Sequence, residues 1–270
     1  MNNRIVLETV AVLAAAWTVF AGPTPENGIT AHRGDSVSFP ENSLAAFASA
    51  NAIGADWIET DVYLTKDAQL VISHNPTTGA YSSKNLSIAG STYAELAALD
   101  MAEKFRERNK KTLAECPKLK ILRFEEALDY ILKERKARLS IQPKNDCVDA
   151  VMAVVRKKGG LDWVGFNDGS LQKMSRVKEL EPKVPVFWDR WRSDIAKDIP
   201  IARARKFECV VMNCGDATPD KVRDLHEAGF KVGVWTVNEP AELTRFLDMG
   251  VDRIYTDVPA TLKEIKAKRH

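Results

Sequence analysis

The sequence predicts an α/β protein built as a (β/α)8 barrel, the TIM-barrel architecture. Short runs of apolar and β-branched residues alternate with helix-length amphipathic segments from Ile29 almost to the C-terminus. The strand-like runs centre near positions 30, 60, 140, 164, 186, 210, 234 and 254, which makes eight. Eight alternating units over about 240 residues match the usual size of such a barrel. A doubly wound open sheet is the alternative that the same alternation allows.

The first unit is a short strand at Ile29–Ala31 followed by a helix. Asn42 or Ser43 is the expected N-cap of that helix, since both follow a proline and precede an apolar periodic run. Gly54 ends the helix.

The second unit carries a hairpin and a long excursion. Trp57–Tyr63 is the second barrel strand, and Gln69–Ser73 returns beside it after a turn. Residues 75–120 are less regular, with a short helix near Thr92–Leu99 and a basic stretch after it. We interpret this part as an insertion at the barrel mouth, because it has too little apolar periodicity to bury a core of its own.

The remaining helices and strands alternate regularly, and proline or glycine marks several helix ends. The predicted helix–strand pairs are Phe124–Arg135 with Arg138–Gln142, Cys147–Lys157 with Trp163–Phe166, Leu171–Leu180 with Val184–Trp188, Asp194–Ala204 with Glu208–Met212, Pro219–Glu227 with Lys231–Thr236, and Pro240–Asp248 with Arg253–Thr256, before a last helix at Pro259–Lys268.

Composition narrows the possible partners. The chain has 270 residues, of which 45% are hydrophobic, and a formal net charge of +2. That balance suits one large globular domain, here residues 28–268, and it argues against nucleic acid or an anionic membrane as a partner.

The N-terminus resembles a secretory signal peptide. Arg4 precedes an apolar segment at Val10–Phe20, and a small residue, Ala21, offers a cleavage point. The segment is too short for a comfortable membrane span, which needs about 20 residues, so we expect no stable span in the mature chain. Residues 1–21 therefore predict export to the periplasm or the medium, and an extra N-terminal helix is the alternative.

Export would allow the cysteines to be oxidised. The four cysteines have no zinc-site spacing. Cys116 and Cys147 are the pair we expect to be joined, because both should lie in loops on one face of the barrel; free thiols are the alternative.

Polar residues cluster where the first two strands end, which is where barrel enzymes place their active sites. His32 and Arg33 follow the first strand, and Glu59 and Asp61 lie two residues apart on the second. Such carboxylates point to the same side of a strand and could bind Mg²⁺ or Ca²⁺. His74 ends the hairpin, so an acid and a base are available for phosphodiester chemistry.

Later strands add further candidates. Gln142 and Lys144 end the strand near 140, and Lys144 could contact phosphate, while Trp235 ends the strand near 234. His226 and His270 are expected to be ordinary surface residues.

The sequence resembles the glycerophosphodiester phosphodiesterase family over the whole predicted barrel. The order of the motifs is more specific than any one of them. They are AHRG (31–34), PENS (40–43), ETD (59–61), SH (73–74), LRFEEAL (122–128), VWTVN (234–238) and GVDRIYTDVP (250–259).

The resemblance implies hydrolysis of a glycerophosphodiester, such as glycerophosphocholine or glycerophosphoethanolamine, to sn-glycerol 3-phosphate and an alcohol. It implies a divalent cation, Mg²⁺ or Ca²⁺, whose affinity the glutamine at position 142 is expected to lower. The implied roles are catalysis for His32 and His74, metal binding for Glu59, Asp61 and Gln142, phosphate contact for Arg33 and Lys144, and an aromatic wall beside the glycerol for Trp235.

Two positions depart from the family pattern. Gln142 stands where a glutamate usually binds the metal, and Asn75 stands where an aspartate usually follows the second histidine. Asp146 is close enough in sequence to substitute for the missing carboxylate. Two alternatives stay open: a phosphodiester-binding protein with weakened turnover, and a lyase-like relative that forms a cyclic phosphate.

Overall fold

A computed structural model of the chain describes residues 28–269. The strands are β1 (Ile29–His32), β2 (Trp57–Leu64), β3 (Leu70–Ile72), β4 (Arg138–Pro143), β5 (Val164–Asp168), β6 (Val186–Arg190), β7 (Cys209–Asn213), β8 (Lys231–Trp235) and β9 (Arg253–Thr256). The helices are α1 (Leu44–Ile53), α2 (Tyr93–Ala97), α3 (Glu103–Asn109), α4 (Phe124–Glu134), α5 (Val148–Lys157), α6 (Leu171–Leu180), α7 (Ile195–Arg205), α8 (Pro219–Glu227), α9 (Pro240–Asp248) and α10 (Pro259–Ala267).

The parallel strands close into a barrel, which confirms the predicted fold class and excludes an open sheet. The order around the barrel is β1, β9, β8, β7, β6, β5, β4, β2, and β1 pairs in parallel with both β9 and β2. The predicted hairpin is confirmed as well, because β3 runs antiparallel to β2. In the register of the closing pairs, His32 lies beside Glu59 and Ala31 beside Thr256.

Two strands reach further toward the mouth than the sequence pattern indicated. The apolar runs predict strands that end at Phe166 and Trp188, whereas β5 and β6 continue to Asp168 and Arg190. The parallel ladder supports these polar ends, since Asp189 pairs with Val211 on β7. A criterion based on apolar runs stops too early where a strand carries polar side chains into a barrel mouth.

Alternate residues of each strand face the barrel interior. One interior layer packs Trp57, Phe187, Cys209, Val211 and Tyr255 together. The outward-facing residues form a separate core with the surrounding helices.

Gly165 and Arg253 complete this interior layer. A Cβ on Gly165 would lie 2.7 Å from the Phe187 ring, so the glycine makes room for that ring. The Arg253 guanidinium is buried 3.6 Å from the centroid of Phe187 and 4.7 Å from that of Trp57, and its Nε donates to Thr30 Oγ1. A second buried arginine, Arg138, lies 4.2 Å from the Trp57 centroid, so the bottom of the barrel is filled by aromatic rings stacked with two cations.

The insertion packs on the barrel through two small apolar clusters. Ile88, Leu96 and Ile121 join Tyr63 and Val71 of the hairpin. A second cluster contains Ala102, Phe105 and Cys116.

The predicted disulfide between Cys116 and Cys147 is wrong. Both are free thiols, and they belong to different clusters, because Cys147 lies in the core between barrel and helices, where its Sγ contacts the Val62 carbonyl oxygen. Both cysteines are therefore enclosed separately, one in the insertion and one in the barrel wall.

Two expectations concern the membrane and the N-terminus. Among residues 28–269, no helix combines the length and apolarity needed to cross a bilayer. The predicted signal peptide, residues 1–21, lies outside the described residues and stays a prediction.

Replacing Arg253 with alanine should destabilise the barrel by roughly 2–4 kcal/mol, because it removes the ring contacts and leaves a void among buried aromatics. Urea unfolding followed by tryptophan fluorescence measures the loss. The control is Arg245→Ala, which removes a solvent-exposed arginine that also stacks on a phenylalanine. The urea midpoint should fall clearly more in Arg253→Ala than in Arg245→Ala. Equal shifts would show that the buried arginine contributes no more to stability than the exposed one.

Candidate active site

Two carboxylates are buried inside the mouth of the barrel. Glu59 and Asp61 lie on the inward-facing side of β2 with 2% and 0% of their surface exposed. Arg33 donates from its backbone nitrogen to Glu59, at 3.2 Å, and its Nε lies 3.7 Å from Asp61 Oδ2. Lys144 Nζ lies 3.3 Å from Asp61 Oδ1. The pair is therefore held among cations, as buried charges must be.

The neighbouring cations nevertheless do not fully offset the burial of Glu59 and Asp61. Burial and the neighbouring Asp61 raise the pKa of Glu59 well above its usual range, although His32, Arg33 and Lys144 oppose this rise. Among the described residues, Asp61 Oδ1 and Arg33 Nε are both buried without a hydrogen-bond partner. An unsatisfied acceptor beside an unsatisfied donor is the environment expected for a cation and an anionic ligand.

His32 is anchored by a carboxylate from the last strand. Its Nδ1 lies 2.7 Å from Asp257 Oδ1, and its Nε2 lies 3.9 Å from Glu59 Oε2. Burial lowers the pKa of His32, but the hydrogen bond to Asp257 and the charge of Glu59 outweigh burial, and the net pKa is raised. Burial also opposes ionisation of Asp257, yet the bond from His32 lowers its pKa to about 2.

His74 is anchored by a neutral group instead. Its Nδ1 lies 2.8 Å from Asn75 Oδ1. Burial lowers the pKa of His74; Asp61 opposes this effect, whereas Arg33 and Lys144 add to it. Since the amide oxygen can only accept, Nδ1 carries the proton and Nε2 keeps a lone pair.

The loop after β1 arranges the cationic side of the site. Glu41 Oε2 accepts from Arg33 Nη1 at 3.0 Å, and Asn42 Nδ2 donates to Asp61 Oδ2 at 3.0 Å. Ser43, rather than Asn42, is the N-cap of α1, because its hydroxyl accepts from the Ala46 nitrogen. Glu41 thus binds Arg33, Asn42 binds Asp61 and Ser43 caps α1.

The backbone at the start of this loop is constrained. Arg33 has φ +59°, in the left-handed region that non-glycine residues adopt infrequently. Gly34 has φ +86°, and a Cβ there would lie 2.7 Å from that of Ala46. Glycine at 34 lets the loop approach α1 closely while Arg33 turns toward the carboxylates.

Gln142 faces two chemically opposite neighbours. Its Oε1 accepts from Lys144 Nζ at 2.7 Å, and its Nε2 donates to Asp189 Oδ2 at 3.4 Å. Asn167 also donates to Asp189, at 3.2 Å. Because the ammonium can only donate, it fixes the amide oxygen toward Lys144 and leaves the amide nitrogen to donate to Asp189.

The carboxylate near Gln142 is therefore Asp189 and not Asp146. Asp146 is exposed, and no hydrogen bond or ion pair within residues 28–269 joins it to the site. Burial raises the pKa of Asp189 to about 7. The apolar pattern predicts that β6 ends at Trp188, so it does not indicate that Asp189 lies in the mouth.

An aromatic pair lies at the opposite side of the mouth. Trp235 is half-buried, its ring centroid lies 5.5 Å from that of Trp191, and its Nε1 is buried without a hydrogen-bond partner in the described part of the chain. Trp191 is 68% exposed. His226, by contrast, is an exposed residue that pairs with Asp252, as expected of a surface histidine.

Sequence reasoning missed three partners of the predicted residues. Asp257 positions His32, and Glu41 positions Arg33. The Tyr81 hydroxyl accepts from the Asn75 backbone nitrogen and donates to Glu41, so it holds both. Asp257 lies in the GVDRIYTDVP motif and Glu41 in PENS, so their motifs carried the signal. Tyr81 lies in the irregular insertion, where no pattern singled it out.

The donors present fit a hard divalent cation. Glu59, Asp61 and Gln142 offer two carboxylates and one amide oxygen, which is the ligand type that Mg²⁺ and Ca²⁺ prefer. No cluster of three His, Cys, Asp or Glu side chains able to hold a metal occurs in residues 28–269. The third oxygen would therefore have to come from the amide, and Lys144 would have to turn away from it.

Comparison with known proteins agrees with the sequence motifs. A family profile described as "Glycerophosphoryl diester phosphodiesterase family" matches residues 32–261. The glycerophosphodiester phosphodiesterase of Caldanaerobacter subterraneus subsp. tengcongensis is 26% identical over 252 residues, covering 89% of this chain and 98% of the relative. That of Bacillus altitudinis is 27% identical over 249 residues, covering 88% and 97%.

Solved structures share the fold. A putative glycerophosphoryl diester phosphodiesterase from Silicibacter pomeroyi superposes with a TM-score of 0.79 at 24% identity, covering 89% of this chain and 93% of that one. A phosphodiesterase from Oleispira antarctica, in complex with the product sn-glycerol-3-phosphate, gives 0.78 at 21% identity, covering 90% and 97%. The chain thus belongs to the glycerophosphoryl diester phosphodiesterase family and is a phosphoric diester hydrolase.

Proposed function

We propose that the protein hydrolyses a glycerophosphodiester to sn-glycerol 3-phosphate and an alcohol, with His32 and His74 as the acid–base pair. The observation that carries the proposal is the opposite anchoring of the two rings: a carboxylate holds His32 and an amide holds His74. Glycerophosphocholine and glycerophosphoethanolamine are the candidate substrates. The neighbour from Oleispira antarctica, which holds sn-glycerol-3-phosphate, supports this substrate class.

The two anchors give the histidines different roles. Asp257 stabilises His32 as the imidazolium, so its Nε2–H can protonate the oxygen of the departing alcohol. His74 stays neutral, and its Nε2 lone pair can take the proton from the attacking glycerol hydroxyl or water. When the glycerol hydroxyl attacks, a cyclic phosphate forms, and in the second step His32 takes a proton from water while His74 returns its proton to the glycerol oxygen. When water attacks directly, His74 releases its proton to solvent and His32 regains one from solvent.

Two cations stabilise the charge that builds on phosphorus. Arg33 has a buried Nε without an acceptor among residues 28–269, and Lys144 lies at the same carboxylate. Donors that are already in place when charge develops lower the barrier without further reorganisation. A phosphoryl oxygen at this position would satisfy the Arg33 donor, which supports the role of phosphate contact.

A divalent cation, Mg²⁺ or Ca²⁺, would be held by Glu59, Asp61 and Gln142. Bound there, the ion would supply Lewis-acid stabilisation of the phosphoryl oxygens. The amide lowers the ligand charge, and Lys144 competes for the same oxygens, so weak binding is expected.

One observation favours a second function. The Lys144 ammonium lies between Asp61 and Gln142, where a cation would bind, so the site could hold a phosphodiester without turning it over. The retained histidine pair favours turnover instead. A lyase-like relative would release the cyclic phosphate as its final product.

Turnover of glycerophosphocholine with added Mg²⁺ or Ca²⁺ should fall by about 10² or more in His32→Ala and in His74→Ala, since each removes a proton-transfer group. Phosphorus NMR follows the reaction and separates sn-glycerol 3-phosphate from a cyclic product. His226→Ala, an exposed histidine, is the control and should keep full activity. Absence of turnover on a panel of diesters, with binding retained, would support the binding-protein alternative.

The pH dependence of kcat/KM should be bell-shaped, with a rising limb from His74 below its usual pKa of about 6.5 and a falling limb from His32 above it. In Asp257→Asn the falling limb should move to lower pH by roughly one unit, because the charge that favours the imidazolium is removed. Asn75→Asp should move the rising limb to higher pH. If Asp257→Asn moves the rising limb instead, the two roles are exchanged.

Gln142→Glu should tighten metal binding only modestly, because the new carboxylate would lie beside Asp189. The double variant Gln142→Glu, Asp189→Asn should bind Mg²⁺ or Ca²⁺ about tenfold more tightly than the wild type. Isothermal titration calorimetry measures both. Asp146→Asn is the control with no expected change; equal affinities in all four proteins would remove Gln142 from the metal site.

A further inference from the structure

Exposed large apolar side chains are confined to one end of the barrel. In the described part of the chain they are Val37, Phe39, Leu44, Leu113 and Trp191. All five follow the C-terminal ends of strands, in the loop after β1 and the start of α1, in the insertion, or in the loop after β6. Single exposed apolar residues are ordinary on a protein surface. Several of them grouped around the barrel mouth indicate an interaction surface.

Three of them form one surface, which we call the mouth patch: Val37, Phe39 and Leu113. They are 56%, 37% and 56% exposed. Lys111 Nζ donates to the Ser38 carbonyl oxygen at 3.2 Å, which brings the insertion beside the loop after β1. This contact joins the segment that carries Leu113 to the segment that carries Val37 and Phe39, although more than 70 residues separate the two in sequence.

Cations outnumber carboxylates beside the mouth patch. Within residues 28–269, Arg108, Lys110 and Lys111 form no direct ion pair. The carboxylates of the same segment have other contacts, since Glu107 pairs with Lys104 and Glu115 accepts from Thr112. The bond from Thr112 lowers the pKa of Glu115, and the charge of Lys111 also lowers it. Arg108 contacts the Ala80 carbonyl oxygen and Lys111 lies over the Phe105 ring, so both are held at this surface. The border of the patch is thus locally positive. The net charge of only +2, which by itself argues against an anionic membrane, does not reveal this local excess.

The patch is next to the active site. Arg108 lines a small cleft together with Ser36, Glu41 and Tyr81. Glu41 is the residue that pairs with Arg33 beside the buried carboxylates. A surface that covered the patch would therefore face the barrel mouth as well.

We propose that the mouth patch docks the protein on a lipid surface that carries anionic headgroups. Apolar side chains enter the boundary between headgroups and acyl chains, and the bordering Arg108, Lys110 and Lys111 contact the negative headgroups. This mode of binding needs no membrane-spanning helix.

Charge distinguishes this partner from a second copy of the chain. A symmetric dimer through the mouth patch would bring Arg108 and Lys110 close to the same residues of the other copy, where like charges repel. A lipid surface supplies the opposite charge. Nucleic acid would supply it too, but it offers no apolar layer for Val37, Phe39 and Leu113.

Docking does not depend on turnover. A second conclusion rests on the proposed function. If the docked protein is a phosphodiesterase, phosphodiesters in or near the lipid surface are the substrates that reach its active site first. A test of binding alone can therefore fail or succeed whatever the assay of turnover shows.

The test is co-sedimentation of the protein with vesicles of phosphatidylcholine, with and without phosphatidylglycerol. The wild type should bind the mixed vesicles and leave the neutral ones largely free. Triple replacement Val37→Ser, Phe39→Ser, Leu113→Ser should lower the affinity at least about tenfold, because the apolar contact is lost. Circular dichroism and turnover of a soluble diester should be unchanged, since none of the three contacts the catalytic groups.

Charge reversal separates the patch from general basicity. Arg108→Glu with Lys110→Glu should lower binding about tenfold, whereas Lys133→Glu with Lys136→Glu, the same change in net charge at the opposite end of the barrel, should leave it intact. Equal losses in the two double variants would overturn the proposal. So would failure of the wild type to bind mixed vesicles, including the case in which it self-associates through the patch instead.

Discussion

The burial of two like charges inside the barrel is the constraint on which the site depends. Glu59 and Asp61 point inward from one strand, with at most 2% of their surface exposed. Removing a carboxylate from water is costly unless opposite charge and hydrogen bonds replace the solvent. Arg33, Lys144 and Asn42 supply that replacement, so the groups that would bind phosphate are also the groups that let the pair exist.

The hydrogen bonds and opposite charges around Glu59 and Asp61 do not fully compensate for the burial of the pair. Within the described residues Asp61 Oδ1 is paired with the Lys144 ammonium but accepts no hydrogen bond, and the Nε of Arg33 lacks an acceptor. A pair with every hydrogen bond made would be more stable but would leave no atom free to bind a ligand. In the proposed function, substrate and cation would complete the charge balance at these atoms.

Closure of the barrel is as important as the local motifs. His32 and Asp257 lie 225 residues apart, and they meet because β1 pairs with β9. An open sheet with the same strands would leave His32 without its carboxylate. The anchoring of His32 thus depends on the closed topology, while the His74–Asn75 contact is local in sequence.

Sequence reasoning was most successful where chemistry and periodicity coincide. The eight strands, the hairpin and the inward pair on β2 follow from alternation and from the spacing of two residues. Partners that depend on three-dimensional closure, such as Asp257, could not be derived from spacing. Asp189 was missed because β6 extends past its apolar part, and the Cys116–Cys147 pairing failed because a loop position says little about which cluster encloses a side chain.

The substitution at Gln142 is best understood together with Asp189. Relative to the family pattern, the carboxylate at position 142 is missing, yet Asp189 places one directly behind the amide. Asp189 accepts from the Gln142 nitrogen, and the Gln142 oxygen accepts from Lys144, which also pairs with Asp61. The site therefore keeps an oxygen donor at this position with less negative charge, which favours the lysine over a metal ion when no phosphate is present. A phosphate that draws Lys144 toward itself would free that oxygen, so substrate and cation would be expected to bind in a mutually supporting way.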